Sequence, residues 1–150
     1  MKSFRDLDIP RGDATAGLAR SVMEDNLKLL EMEEPLTAHP QDAALDVARR
    51  MKEAQTACVL VMDEGRLVGI FTEHDVLRKM TGAQAVASET TVGELMSANP
   101  ESLQETDTVA ATLNKMAMGR YRHVPVARMD GSYSVTSIKH VLKYIAQEDW

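Results

Sequence analysis

The 150-residue chain repeats its own pattern at an offset of 65 residues, and this repeat limits its possible folds more than any other feature. Residues 37–80 align with residues 102–145 at that offset without a gap, so that Met51 pairs with Met116. Identities are few, but the register is unbroken. The other identical pairs are Asp42/Asp107, Val59/Val124, Val61/Val126, Val76/Val141 and Leu77/Leu142. The chain is therefore predicted to contain two copies of one structural unit.

Each copy carries its hydrophobic patterns in the same order. A short first segment, at residues 36–38 or 102–103, leads to Asp42 or Asp107, which can cap a helix with apolar residues at helical spacing. A Val-rich strand, a Gly-containing turn and a second short strand follow, and then a hydroxyl residue and a second helix. Each copy is thus predicted to be β-α-β-β-α, with these two strands at residues 57–62 and 67–71 in the first copy and at 123–127 and 133–136 in the second.

One copy of about 50–60 residues has a marginal core by itself, whereas two copies packed sheet to sheet bury far more apolar surface. We therefore predict an α+β fold in which two β-α-β-β-α repeats form a pseudo-two-fold pair. Residues 18–32 show helical apolar spacing outside the repeat, which predicts an extra helix packed on the module or on a partner chain. Residues 1 to about 12 are predicted to be disordered. The predicted boundaries are an N-terminal extension at 1–34, a first repeat at 35–82, a linker with a short helix at 83–99 and a second repeat at 100–150.

The net charge of −6 argues against a protein that coats nucleic acid, because an acidic surface repels phosphate backbones. The N-terminal residues lack the apolar core of a secretory signal, and no apolar run is long enough to span a membrane. A single cysteine, Cys58, excludes an internal disulfide and a multi-cysteine zinc site. These features predict a cytoplasmic protein without a metal.

The most informative string is Gly69-Ile-Phe-Thr-Glu-His-Asp75, which joins a predicted strand to a predicted helix. The hydroxyl of Thr72 and the helix N-terminus suit a phosphate. The two carboxylate oxygens of Asp75 match the two hydroxyls of a ribose. Gly69 allows a flat base to approach the backbone. Together these residues predict a nucleotide site.

The string GIFTEHDVLRK resembles the Gly-x-x-Thr/Ser-x-x-Asp signature of CBS domains, and the resemblance extends over residues 36–146. The strings VLVMDEGRLVGIFTEHD and YRHVPVARMDG support it. The resemblance implies a tandem pair that binds an adenosyl compound such as AMP, ADP, ATP or S-adenosylmethionine. It makes Asp75 the ribose ligand and Thr72 the hydroxyl on the phosphate side.

The resemblance also implies that the strand of His123, Val124 and Pro125 lines the base-binding cleft, partly through its backbone. Arg120 and Arg122 precede this strand, and an arginine guanidinium suits phosphate because its planar fork can bind two oxygens. These residues can supply positive charge that the acidic chain otherwise lacks.

The second copy departs from the signature at two of its three positions. Ser137 keeps the hydroxyl, but His140 stands where aspartate is expected and Ser134 where glycine is expected. A neutral imidazole offers one acceptor rather than a two-oxygen fork. The sequence therefore predicts an asymmetric module with one conventional site.

Simpler roles remain open for each of these residues. Thr72 and Ser137 can be helix caps, Asp75 can be a first-turn acid favoured by the helix dipole, and His123 can be a hydrogen-bonded strand residue. The sequence contains neither a paired nucleophile and base nor a phosphate loop, so no catalytic residue is predicted.

The predicted function is a regulatory homodimer, with helices of both repeats at the interface, that changes conformation on binding an adenosyl ligand. It would pass that change to a regulated protein partner. A ligand-free dimerisation or protein-docking module is the alternative, and a small hydrolase is the third.

Overall fold

A computed structural model describes residues 14–30, 32–81, 88–119 and 121–147. The chain divides into two compact units. Residues 34–101 form one, which we call the first-repeat unit, and residues 102–150 together with residues 1–33 form the other, which we call the second-repeat unit. Each unit contains one sheet with its helices.

The first-repeat unit is built on a four-stranded sheet whose strands lie in the order β1 (Leu36–Ala38), β2 (Cys58–Asp63), β3 (Arg66–Thr72) and β4 (Ser97–Ala98). Strands β1 and β2 are parallel, and β3 is antiparallel to both β2 and β4. Glu64 and Gly65 both have positive φ, 50° and 76°, as a two-residue hairpin turn requires. The elements are β1 (Leu36–Ala38), α2 (Ala44–Ala54), β2 (Cys58–Asp63), β3 (Arg66–Thr72), α3 (Glu73–Lys79), α4 (Val92–Leu95) and β4 (Ser97–Ala98). The buried core side chains are Ala38, Val47, Met51, Val59, Val61, Phe71 and Val92.

The second-repeat unit is built on a three-stranded sheet in the order β5-β6-β7, with a parallel and then an antiparallel pair. Its elements are α1 (Ala14–Glu24), a 3-10 helix (Leu27–Leu29), β5 (Leu103–Gln104), α5 (Val109–Gly119), β6 (His123–Ala127), β7 (Tyr133–Ser137) and α6 (Ile138–Gln147). The buried core includes Val22, Leu27, Leu30, Val109, Met116, Val124, Val126 and Val141.

The β-α-β-β-α order predicted for each copy is present in both units, so the α+β fold of two repeats is confirmed. The predicted ends of the four strands at 57–62, 67–71, 123–127 and 133–136 lie within one residue of the observed ends of β2, β3, β6 and β7. The short helix predicted in the 83–99 segment is α4, and the same segment also supplies β4 to the first sheet.

The N-terminal helix predicted at residues 18–32 was placed too far along the chain. Helix α1 ends at Glu24, and the chain then turns into the 3-10 helix at Leu27–Leu29. The break occurs because Asn26 has an extended backbone and its side chain accepts a hydrogen bond from the Lys28 N–H. The prediction of disorder for residues 1 to about 12 lies outside the described residues.

The predicted capping role of the two repeat-related aspartates was wrong. Asp42 Oδ2 accepts from the His39 N–H at 2.9 Å, and Asp107 Oδ2 accepts from the Gln104 N–H at 2.8 Å. Each carboxylate therefore closes the turn before its helix instead of capping the helix itself. Thr108, one residue later, caps α5, because its hydroxyl accepts from the third N–H of that helix at 3.0 Å.

The 65-residue relation continues into the N-terminal segment, which the sequence had placed outside the repeat. The Val109 N–H donates to the Asp25 carbonyl at 2.9 Å, and the Ala44 N–H donates to the Thr90 carbonyl at 2.9 Å. Asp25 and Thr90 are 65 residues apart, as are Ala44 and Val109. Residues 25–33 therefore contribute to the second-repeat unit what residues 90–98 contribute to the first.

Two further backbone hydrogen bonds are related by the same 65-residue offset. The Leu27 N–H donates to Asp107 at 3.0 Å, and the Val92 N–H donates to Asp42 at 2.8 Å, again with an offset of 65. Leu27 and Val92 are both fully buried. The segment that precedes each repeat in the sequence thus completes the core of the unit that contains the other repeat.

Candidate ligand-binding site

The corner between β3 and α3 holds the predicted site of the first-repeat unit. Thr72 ends β3 and is the N-cap of α3, with an extended backbone at φ −122° and ψ 166°. Its hydroxyl accepts from the Asp75 N–H at 3.4 Å, and Asp75 Oδ2 accepts from the Thr72 N–H at 2.9 Å. This reciprocal pair of hydrogen bonds is a capping box, so both residues have a structural role at the start of α3.

The Asp75 carboxylate is buried, with a residue exposure of 7%, and its oxygens are held by nearby donors. The Thr72 hydroxyl lies 3.2 Å from Oδ2, and Lys79 Nζ lies 3.0 Å from Oδ1. Lys79 also donates to the Leu95 carbonyl at 2.6 Å, which ties the end of α3 to α4. Because one carboxylate oxygen can accept two hydrogen bonds, Oδ1 keeps capacity for a donor beside Lys79.

Gly69 lies three residues before Thr72, the last residue of β3, and pairs with Ala98 of β4. A Cβ at this position would collide with the Met96 thioether. Any larger residue here would therefore force the flexible Met96 side chain to move, whether or not a base approaches the same backbone. Sequence reasoning missed Met96 because it lies far along the chain and only the β3–β4 pairing brings it to Gly69.

The corresponding corner of the second-repeat unit is closed by a histidine. His140 Nδ1 accepts from the Ser137 N–H at 3.1 Å and lies 2.8 Å from the Ser137 hydroxyl. His140 Nε2 lies 3.7 Å from the Glu33 carboxylate, and the ring is only 10% exposed. The imidazole therefore accepts the same backbone N–H at this corner that the Asp75 carboxylate accepts at the other.

The predicted residues of strand β6 divide between the two faces of its sheet. Val124 belongs to the core of the second-repeat unit and is 1% exposed, so only its backbone can contact a ligand. His123 lies opposite Ser137 in the β6–β7 ladder, and Pro125 lies two residues further along the same face. Arg122 is exposed, and its carbonyl accepts from the Ile138 N–H at 3.2 Å.

The structure thus gathers the predicted residues into two clusters. Gly69, Thr72 and Asp75 belong to the first-repeat unit, whereas Arg122, the β6 residues and Ser137 belong to the second-repeat unit. Arg120 lies outside the described residues. Within the described ranges, no three His, Cys, Asp or Glu side chains are placed to hold a metal ion. None of the described helices has the length and apolar character required to cross a bilayer.

Comparison with protein families finds the CBS-domain model twice in this chain, at residues 20–82 and 92–147. The chain is 33% identical over 122 residues to the CBS domain-containing protein CBSCBSPB1 of Arabidopsis thaliana, which covers 81% of this chain and 21% of that protein. It is 27% identical over 116 residues to the Meiotically up-regulated gene 70 protein of Schizosaccharomyces pombe, covering 77% and 16%. The chain therefore spans about a fifth of the length of these relatives.

Solved structures share the fold. The CBS-domain containing protein ATU1752 of Agrobacterium tumefaciens is 29% identical, with a TM-score of 0.65 over 73% of this chain and 88% of that one. CBSX2 in complex with AMP is 17% identical, with a TM-score of 0.70 over 83% and 99%. The CBS domain pair of MJ0100, in complex with 5′-methylthioadenosine and S-adenosyl-L-methionine, is 22% identical, with a TM-score of 0.68 over 82% and 96%. At these last two identities the likeness concerns the fold alone.

Proposed function

Since this chain belongs to the CBS-domain family and carries the domain twice, we propose that it is a regulatory module that binds an adenosyl compound at the Thr72–Asp75 corner. CBS domains are in general regulatory rather than catalytic, and the family model that matches both repeats of this chain is the CBS domain. In this proposal the module is not an enzyme.

The observation that carries the proposal is the buried Asp75 carboxylate, which the capping box holds in one orientation at the end of β3. A ribose can donate its two hydroxyls to the two carboxylate oxygens by taking the place of the Thr72 hydroxyl at Oδ2 and joining Lys79 at Oδ1. The Thr72 hydroxyl, released from the carboxylate, then turns to a phosphate or another polar group of the ligand. The Thr72 N–H keeps Asp75 in place throughout.

The candidate ligands are AMP, ADP, ATP and S-adenosylmethionine, without a metal. Two proteins of the same fold have been solved with AMP, or with 5′-methylthioadenosine and S-adenosyl-L-methionine, which makes the adenosyl class the first to test. We expect weaker ligand binding, or none, at the cluster of Arg122, His123, Pro125 and Ser137. His140 already accepts the backbone N–H at that corner, in place of the aspartate that would bind a ribose.

Regulation requires that the ligand bind two conformations of the module with different affinity. We propose that a homodimer carries that change to a protein partner.

The test is calorimetric titration of the full chain with each of the four adenosyl compounds. We expect at least one to bind with one site per chain. Asp75→Asn keeps the shape and one oxygen acceptor for the Thr72 N–H, but it should weaken binding by about tenfold or more because a charged hydrogen-bond acceptor is lost.

The control is Asp46→Asn, an exposed carboxylate on α2 that contacts Arg49 at 3.0 Å and should leave binding unchanged. Equal binding by the wild type and Asp75→Asn would remove Asp75 from the site. Failure of all four compounds to bind the wild type would contradict the proposal that this chain senses an adenosyl ligand.

A ligand-free docking module is the second candidate, and one observation favours it. The capping box and the Lys79 ion pair give Thr72 and Asp75 complete structural roles without any ligand. If this second candidate is correct, the chain self-associates or binds a protein partner, and titration with each of the four adenosyl compounds produces no heat of binding.

A further inference from the structure

Lys79, the last residue of α3, joins two elements of the first-repeat unit. Its ammonium nitrogen lies 3.0 Å from Asp75 Oδ1 and donates to the Leu95 carbonyl at 2.6 Å. The Asp75 side chain is 10% exposed and that of Lys79 is 36% exposed. Solvent and salt therefore screen this ion pair less than a pair on the open surface. We call the connection from Asp75 through Lys79 to Leu95 the Lys79 bridge.

The bridge ends on a very short helix. Helix α4 (Val92–Leu95) is a single turn, so its last carbonyls have no partner within the helix. The Leu95 carbonyl is one of these. A lysine ammonium at a helix C-terminus accepts the role of donor to such a carbonyl and also interacts favourably with the helix dipole. Lys79 therefore fixes the C-terminal end of α4 relative to α3.

The residue after the bridge covers the backbone at which a base is expected. Met96 follows Leu95 directly, and its N–H donates to the Val92 carbonyl at 2.8 Å. Its thioether lies on Gly69, where it takes the space that a Cβ would need. A base cannot reach the Gly69 backbone while the thioether is there. Because a methionine side chain is flexible, it can leave this position once the end of α4 is released.

The second-repeat unit has an aromatic residue where the first has Lys79. At the 65-residue offset, Tyr144 corresponds to Lys79 and His140 to Asp75. Tyr144 is 5% exposed, and its hydroxyl donates to the Asp25 carboxylate. The lysine thus accompanies the corner that keeps the aspartate of the signature, as expected of a residue whose role depends on that aspartate.

We propose that the Lys79 bridge holds Met96 over Gly69 in the ligand-free chain, and that the ribose of an adenosyl compound releases it. A ribose hydroxyl that donates to Asp75 Oδ1 shares this oxygen with Lys79 and so weakens the ion pair. The end of α4 then loosens, and Met96 leaves the Gly69 backbone to the base. Lys79 is thus a positioning residue that acts through Leu95 and Met96. This inference rests on the proposed function, whose site it regulates.

Release of the bridge costs free energy that ligand binding must supply. A chain without the bridge does not have this cost, so it should bind an uncharged nucleoside more tightly than the wild type although it has lost a cation. A lysine that touched the ligand directly would give the opposite sign, because its removal would weaken binding.

The first measurement uses the ligand-free chain and hydrogen exchange resolved by NMR. The Met96 and Asn99 N–H groups both donate to backbone carbonyls of the first-repeat unit. Lys79→Met should speed their exchange roughly two- to fivefold, the usual effect of losing a cation at a helix C-terminus. The amides of β2 should keep their wild-type rates. Arg78→Met removes the same charge from the neighbouring, exposed position of α3 and should change neither set.

A double-mutant cycle tests whether Asp75 acts on α4 through Lys79. Asp75→Asn should speed Met96 exchange in the wild type but not in Lys79→Met, where the bridge is already broken. Lys79→Arg keeps the charge and offers several donors, so it should retain wild-type exchange. Equal Met96 rates in the wild type and Lys79→Met, or additive effects of Asp75→Asn and Lys79→Met, would overturn the bridge whatever nucleotides do.

The second measurement is calorimetric titration with adenosine, which has the ribose and the base but no charge. Lys79→Met should bind adenosine about two- to fivefold more tightly than the wild type, and Arg78→Met should bind it equally well. Weaker or unchanged binding by Lys79→Met would overturn the release step. So would a wild type that binds AMP but not adenosine, because recognition would then depend on the phosphate.

The two proposals fail in different ways. A wild type that binds neither adenosine nor any of the four adenosyl compounds would contradict the proposed function and, with it, the release by ribose. The exchange rates of the ligand-free chain would still decide whether Lys79 holds Met96 in place.

Discussion

Thr136 occupies in the second-repeat unit the position that Phe71 holds in the first, 65 residues earlier. Both are fully buried, and Thr136 pairs with the core residue Val124 across the β6–β7 ladder. The Thr136 hydroxyl has no hydrogen-bond partner among the described residues. A buried hydroxyl without a partner lowers stability, because it loses its water and gains no protein hydrogen bond.

Thr136→Val should therefore raise the free energy of unfolding by about 1 kcal/mol, since valine has the same shape without the hydroxyl. Urea denaturation followed by circular dichroism measures the change. Thr112→Val is the matched control, because Thr112 is equally buried but its hydroxyl donates to the Thr108 carbonyl at 3.1 Å. Removal of this hydroxyl should not raise the free energy of unfolding. Destabilisation by Thr136→Val would mean that the hydroxyl has a partner.

At the scale of elements, the backbone N–H that precedes helix α3 and the one that precedes helix α6 are accepted by different side chains. The Asp75 carboxylate accepts the Thr72 N–H at 2.9 Å, and His140 Nδ1 accepts the Ser137 N–H at 3.1 Å. An imidazole nitrogen can accept that bond only when it carries no proton. The second corner thus keeps its cap although it lacks the aspartate of the signature.

His140→Ala should lower the free energy of unfolding by about 1 kcal/mol, the usual cost of a lost cap. His140→Asp should restore the wild-type value, because its carboxylate can accept the Ser137 N–H as Asp75 accepts that of Thr72. Thermal and urea unfolding check both, with exposed His74→Ala on α3 as a neutral control. If His140→Asp were as unstable as His140→Ala, the capping role of His140 would be wrong.

At the scale of the whole molecule, each unit depends on a segment from outside its own repeat. Leu27 lies in the core of the second-repeat unit, and the Tyr144 hydroxyl donates to the Asp25 carboxylate. The first-repeat unit receives Val92 and β4 in the same way. A deletion of residues 1–34 would therefore remove part of a core, and it would not isolate a docking role for the N-terminal helix.

Leu27→Ala should destabilise the chain by about 2–5 kcal/mol, as a buried leucine truncated to alanine usually does. Hydrogen exchange should show the loss of protection first in β5, β6 and β7. Leu29→Ala, at an exposed position of the same 3-10 helix, should cost little. Equal exchange profiles for the two variants would contradict the assignment of Leu27 to this core.

The sequence alone determined the repeat, its β-α-β-β-α order and the strand ends to within a residue. These features depend on local patterns: apolar spacing of 3.6 or 2, turn residues such as Gly65, and hydroxyl residues at the β-to-α corners. The string from Gly69 to Asp75 was found in the same way, because its residues are neighbours in the chain.

Tertiary structure decided what local pattern does not contain. Met96 lies against Gly69, residues 25–33 complete the second-repeat unit, and Asp42 closes a turn instead of capping α2. The first two contacts join residues far apart in the chain, and the third depends on one residue of register at a helix start. Periodicity fixes which face of an element is apolar, but packing and hydrogen bonding select the partner that covers it.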